Sequence, residues 1–105
     1  MPHSYTRLCE THDIVPESSR AVEHDGLKLL VVHSKGNFFV VRNLCSHADE
    51  PLDCGKVRSG WVACPIHGAR FDLATGAPKN PPAIDPITTY PVRIVNGWVE
   101  AQLHG

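Results

Sequence analysis

The sequence predicts an all-β fold. Short apolar stretches separated by turn signals dominate it, and none sustains helical periodicity for three turns. Two residue pairs, Asp25-Gly26 and Asn96-Gly97, tolerate positive φ at both central positions, so each reads as a tight hairpin turn. Helix is expected to be minor.

The first expected strand is Tyr5 to Cys9, with Cys9 as a small buried apolar residue. Arg20 to His24 and Leu27 to Val32 flank the Asp25-Gly26 turn, and a looser turn at Lys35-Gly36-Asn37 leads into Phe38 to Arg42. The polar stretch from Asn43 to Gly60 stands outside this scaffold. Trp61 to Cys64 and Arg70 to Leu73 follow as strands, with Trp61 and Trp98 as hairpin or core packing. A loop holding Pro78, Pro81, Pro82 and Pro86 is the second segment outside the scaffold, because proline cannot donate to a central ladder. Thr88 to Val95 and Trp98 to Leu103 close the chain around Asn96-Gly97.

A chain of 105 residues fits one domain, 1–105. Folding at this size buries only roughly 65% of the surface the unfolded chain exposes, so a bound metal would add stability. Ten basic against eleven acidic residues, with no basic run, argue against nucleic-acid binding. No basic segment leads into an apolar one at the start, and no stretch approaches the roughly 18 apolar residues of a membrane span. The expectation is a cytoplasmic protein without a membrane partner.

Without a signal peptide, the four cysteines are better used as thiols or metal ligands than as disulfides. Cys45 and Cys64 have a histidine within three positions; Cys9 and Cys54 have none. The chemistry therefore gathers in Cys45-Ser46-His47 and Cys64-Pro65-Ile66-His67-Gly68, sixteen residues apart. Each half supplies one thiolate and one imidazole from a loop that a β scaffold can present. Two other readings stand beside this one: buried cysteines that merely neighbour surface histidines, and a structural Cys2His2 zinc site. Zinc sites usually pair like ligands two to five residues apart, whereas each half here mixes them. His3, His12, His24, His33 and His104 show no ligand spacing and read as surface residues. Asp72 and Thr75-Gly76 read as a side-chain-capped turn. Gly55 and Gly68 serve either a turn or the close approach of backbone N–H groups to a bound centre.

Two motifs carry a resemblance to the Rieske ferredoxin family. Cys45, His47, Leu52 and Gly55 match its C-x-H-x4-L-x2-G pattern, and Cys64, Pro65, His67, Gly68, Phe71, Asp72, Thr75 and Gly76 match C-P-x-H-G-x2-F-D-x2-T-G. Pro81-Pro82-Ala83 and Tyr90-Pro91-Val92 extend the similarity over most of the chain. In size and pattern the chain resembles the ferredoxin components of bacterial aromatic-ring dioxygenase systems.

The resemblance implies a Rieske-like antiparallel β-sandwich with a cluster-binding subdomain made of two loops, about 43–76, and a proline-rich loop about 78–86. It implies one [2Fe-2S] cluster, with Cys45 and Cys64 on an inner iron and His47 and His67 on an outer one. Two thiolates then neutralise the oxidised cluster, and neutral imidazoles ease electron uptake relative to four thiolates. High-potential respiratory relatives carry a serine and a tyrosine where this chain has Ala69 and Phe71, and extra cysteines where it has Glu50 and Ile66. The expected potential is therefore at the low end of the Rieske range, about −150 mV.

The implied role is a one-electron carrier, not an enzyme in its own right, between an FAD-containing, NADH-linked ferredoxin reductase and a terminal oxygenase, each bound transiently. A small redox subunit of a larger enzyme such as a nitrite reductase, and a zinc-stabilised interaction module, are the alternatives. Docking is expected around His47 and His67, with Ala48, Pro51, Leu52, Ile66, Pro81 and Pro82 as its apolar centre and Asp49, Glu50 and Asp53 as charged neighbours.

Overall fold

A computed structural model describes residues 4–45, 51–53, 55–65, 68–79 and 85–103. In chain order the elements are β1 (Thr6–Glu10), a 3-10 turn (Thr11–Asp13), β2 (Ser18–His24), β3 (Leu27–Ser34), β4 (Asn37–Arg42), β5 (Val57–Arg58) and β6 (Trp61–Ala63). They continue with β7 (Arg70–Asp72), β8 (Thr89–Tyr90), β9 (Val92–Val95) and β10 (Trp98–Ala101).

These strands form three antiparallel sheets ordered β1-β10-β9, β2-β3-β4-β8 and β5-β6-β7. The four-stranded sheet lies between the other two. Side chains alternate across a strand, and β3 uses both sides: Leu29 and Val31 join one core with Cys9, Val99 and Ala101, while Leu30 and Val32 join another with Val62, Phe71 and Leu73. All four of these β3 residues are fully buried. A run of four consecutive apolar residues is what burial on both faces requires.

Four two-residue turns hold the hairpins. Asp25-Gly26, Lys35-Gly36, Ser59-Gly60 and Asn96-Gly97 each have positive φ at both residues, the arrangement that matches strand twist. Lys35-Gly36 is thus tighter than the sequence suggested, since Ser34 pairs directly with Asn37. The Ser59-Gly60 turn and β5 lie inside the stretch expected to be wholly loop. Thr88 to Val95 is two strands rather than one: β8 pairs with β4 and β9 with β10, and Pro91, which has no N–H to donate, stands at the change of sheet. Glu100, buried in β10, accepts from Arg7 Nε at 3.3 Å and Arg93 Nε at 2.8 Å.

The expected sandwich is present, with one addition. A third sheet, β5-β6-β7, covers the outer face of β3 and β4; the first loop runs from β4 to β5 and the second joins β6 to β7.

Candidate functional site

Cys45 follows β4, and Cys64 follows β6. Both are essentially inaccessible and belong to the same buried cluster, with Leu52, Val57, Val62, Ala69, Phe71 and Leu73. Two cysteines nineteen positions apart in sequence are thus brought into one apolar compartment by the packing of the third sheet on the second.

Backbone hydrogen bonds shape the segments around both cysteines. Entry to the first loop is fixed by the Asn43 N–H donating to Lys28 O at 3.0 Å and the Leu44 N–H to Arg42 O at 2.8 Å. Its exit is fixed by Asn43 again: the buried Oδ1 accepts the Leu52 N–H at 2.7 Å. Losing that acceptor would strand a buried donor at a cost of about 1–3 kcal/mol. The Gly55 N–H then donates to Leu52 O at 2.8 Å, completing the return. Around Cys64, the Cys64 N–H donates to Ala69 O at 2.7 Å and the Gly68 N–H donates to Cys64 O at 2.9 Å. The second loop is therefore closed by two bonds at its base, with Gly68 at φ 71°.

Gly55 has a spatial role. A Cβ at this position would lie 1.7 Å from Ala63 O and 3.0 Å from Leu52 O, so no side chain fits between the first loop's exit and the strand leading to Cys64. The close approach seen here is to the Ala63 carbonyl of the neighbouring strand, a packing role that the sequence reading did not name.

Beyond the second loop, Asp72 caps a turn as expected. Its Oδ1 accepts the Ala74 N–H at 2.8 Å and the Thr75 N–H at 3.2 Å, and Thr75 Oγ1 accepts the Ala77 N–H at 3.1 Å. Gly76 is packed against Ile87 O, at φ 81°.

The third sheet is tied to the second by Glu17, which sequence reasoning did not single out. It sits at φ 58° just before β2. Its carboxylate accepts from Ser34 Oγ at 2.8 Å, the Lys35 N–H at 2.9 Å and the Ser59 N–H at 2.9 Å, while the buried Ser34 Oγ accepts the Gly60 N–H at 2.8 Å. Two hairpins from different sheets are joined through one carboxylate. The Lys35 N–H, then the Ser34 hydroxyl, hold that carboxyl below the usual range. An acidic residue in a turn gives no sequence signal for such a role.

Of the four candidate ligands, Cys45 and Cys64 are placed together as described; His47 and His67 lie outside the described residues, as does Cys54. Ala69 and Phe71 are fully buried in the cluster that holds both cysteines, the placement their assigned role needs. Leu52, expected on the docking face, is instead fully buried there, so it holds the loop from inside and offers no contact surface. Pro51 is exposed; Ala48, Asp49, Glu50, Ile66, Pro81 and Pro82 lie outside the described residues. His33 is half-buried rather than superficial, stacked on Phe38 at 4.2 Å with Nδ1 2.9 Å from Ile14 O. Cys9 is buried as expected, and burial pushes its thiol pKa up. Glu10, His12 and Asp13 form a further grouping of ligand-type side chains, but an accessible one, in which Asp13 already accepts the Glu10 N–H at 3.1 Å.

The residues present fit an iron–sulfur cluster. Two cysteines from separate loops share one dry compartment, where a thiolate pair needs a cation to be stable. Backbone hydrogen bonds fix the described ends of both loops.

The chain matches the Rieske [2Fe-2S] domain over residues 4–91. It belongs to that family. It is 39% identical over 92 residues to the anthranilate 1,2-dioxygenase ferredoxin subunit of Burkholderia cepacia, covering 87% of this chain and 85% of that protein. Among solved structures, the Sphingomonas yanoikuyae B1 ferredoxin superposes with a TM-score of 0.90 at 37% identity, covering 96% of this chain and all of the other. A ferredoxin from a complex of reduced oxygenase and oxidised ferredoxin in carbazole 1,9a-dioxygenase superposes at 0.88 with 25% identity, covering 96% and 94%.

Proposed function

We propose that this chain carries single electrons from an FAD-containing, NADH-linked ferredoxin reductase to the terminal oxygenase of an aromatic-ring dioxygenase system. It is an electron-transfer component of such a system, not its catalytic subunit. The observation that carries this is the burial of Cys45 and Cys64 together in a Rieske [2Fe-2S] domain that matches proteins named as dioxygenase ferredoxin subunits over 85% and 84% of their length.

A bound [2Fe-2S] cluster supplies a one-electron couple. Cys45, His47, Cys64 and His67 are the residues proposed to hold it. The two thiolates bring two negative charges into an apolar compartment, and imidazoles add none, which favours accepting an electron over a four-thiolate set. Phe71 and Ala69 keep the cysteine side dry and offer no hydroxyl, which keeps the potential low in the Rieske range, about −150 mV. The whole chain, 1–105, works as one domain on this reading. Among the described residues no helix is long and apolar enough to cross a membrane, which agrees with work in the cytoplasm.

Reconstitution tests the proposal. With reductase, oxygenase, NADH and aromatic substrate present, product forms only when this protein is added. Uncoupled oxygenase that turns over equally well without it contradicts the role. Gel filtration addresses the rival of a permanent subunit: a shuttle elutes apart from its partners, whereas stable co-elution favours the larger enzyme.

A further inference from the structure

The third sheet carries a row of cations directly beneath the second loop. Val57 pairs with Val62, Val62 with Phe71, and Phe71 bridges Pro78, giving an inward row that is buried at its first three positions. One residue along, the register sets Lys56 opposite Ala63, Ala63 opposite Arg70, and Arg70 opposite Lys79. The bonds confirm it: the Ala63 N–H donates to Lys56 O at 2.9 Å and the Lys79 N–H to Arg70 O at 2.7 Å. Alternation turns this row outward, and Lys56, Arg70 and Lys79 are all exposed. The next outward row begins Arg58, Trp61, Asp72. Arg70 lies over the Trp61 ring at 5.1 Å, so that row adds an aromatic and another exposed cation.

Arg70 is engaged within the fold, but Lys56, Arg58 and Lys79 are not held by an ion pair among the described residues. Like charges directly opposite destabilise a sheet, and Arg70 and Lys79 are such a pair. Four of the chain's ten basic residues stand on this one face, although the whole carries a formal charge of −1. The single acid among them, Asp72, is already engaged by the Ala74 and Thr75 N–H groups. Ala63 and Arg70 flank the Cys64 loop on its two strands, so a partner seated on the row also lies against the segment that holds one thiolate.

We propose that the outward face of the third sheet, with Lys56, Arg58, Arg70 and Lys79 around Trp61, docks an acidic surface of the terminal oxygenase. This rests on the carrier role proposed above. The oxygenase is the occupant because the row flanks the segment joining β6 to β7, whose sequence carries His67, a proposed ligand of the outer iron, as well as Cys64, and a similar ferredoxin has been solved in complex with its oxygenase. Charge complementarity there would steer encounter and weaken with salt.

The test uses the holoprotein, with the terminal oxygenase that the wild type reduces, taken from the organism that makes this chain, and with the matching reductase. Lys56→Glu/Lys79→Glu is compared with Arg20→Glu/Lys28→Glu on β2 and β3, each shown by its visible spectrum to retain the cluster. At low ionic strength the first variant raises the oxygenase KM for ferredoxin about tenfold, the lower end of what steering produces. The difference shrinks in about 0.5 M salt, where screening acts within a few ångströms. The control, and reduction by the reductase, stay within twofold of wild type. An unchanged KM overturns the proposal, and so does an effect confined to the reductase, which would assign the row to the other partner. Wild-type protein that reduces no oxygenase overturns the carrier role itself, and the docking face with it.

Discussion

Replacing Gly55 by alanine tests how the two loops are held against each other. The added Cβ meets Ala63 O at 1.7 Å, and the backbones must separate by more than about 1 Å before the contact is tolerable. Neither side yields readily. The Gly55 N–H is bonded to Leu52 O, and Ala63 is bonded through its N–H to Lys56 O, within a β5-β6 ladder of only two residue pairs. Overpacking of this kind costs about 1–3 kcal/mol, and one lost backbone bond adds about 1 kcal/mol. The sum, about 2–4 kcal/mol, is a large part of the roughly 5–15 kcal/mol that holds a domain together. Gly26→Ala is the control, since a Cβ there meets nothing within 4 Å and only the φ of +81° opposes it, at about 1–2 kcal/mol. Urea unfolding and iron content per chain are measured for both. Gly55→Ala is expected to show the larger destabilisation and to lose cluster on purification, whereas Gly26→Ala retains it. Full cluster content in Gly55→Ala, with stability within about 0.5 kcal/mol of wild type, would refute the reasoning.

Two further perturbations address potential and pH. Phe71→Tyr and Ala69→Ser place hydroxyls in the compartment of Cys45 and Cys64; each is expected to raise the potential by tens of millivolts or more, up to about 130 mV, since one charge-assisted bond is worth about 1.5–3 kcal/mol and about 59 mV corresponds to 1.4 kcal/mol for one electron. Voltammetry checks this, and a wild-type value well above zero contradicts the assignment. The Glu17 carboxyl, lowered first by the Lys35 N–H, titrates below its unfolded value. Its contribution is therefore complete above the ordinary carboxylate range and is lost as pH falls through the lowered folded value. Thermal unfolding across pH should then show Glu17→Ala less sensitive to acid than wild type, and parallel curves would rule the brace out.

Sequence pattern reaches furthest where one local rule decides the structure. Asp25-Gly26 and Asn96-Gly97 specify their turns through backbone conformation alone, and the apolar run within Leu27 to Val32 marks a strand, whose burial on both faces the structure adds. Asp72 and Thr75 signal a capped turn because side chain and target lie within three residues. Features set by long-range packing leave weaker traces. Leu52 looked like a contact residue because its loop is polar, yet the third sheet encloses it. β5 is only two residues long and exists because β6 pairs with it. Glu17 joins hairpins seventeen and forty-two residues away in sequence, and Asn43 bridges one loop's ends across nine, contacts that no periodicity encodes. At the site, the paired Cys and His motifs marked four candidate ligands, the family resemblance assigned them to a cluster, and folding brings the two cysteines into one compartment.

Metal and sulfide analysis of the purified protein tests the central claim most directly. Two irons and two acid-labile sulfides per chain are predicted, in a reddish-brown protein, and Cys64→Ala or His67→Ala should lose both together with part of the fold's stability, because binding and folding are coupled. One zinc per chain with no sulfide would contradict it.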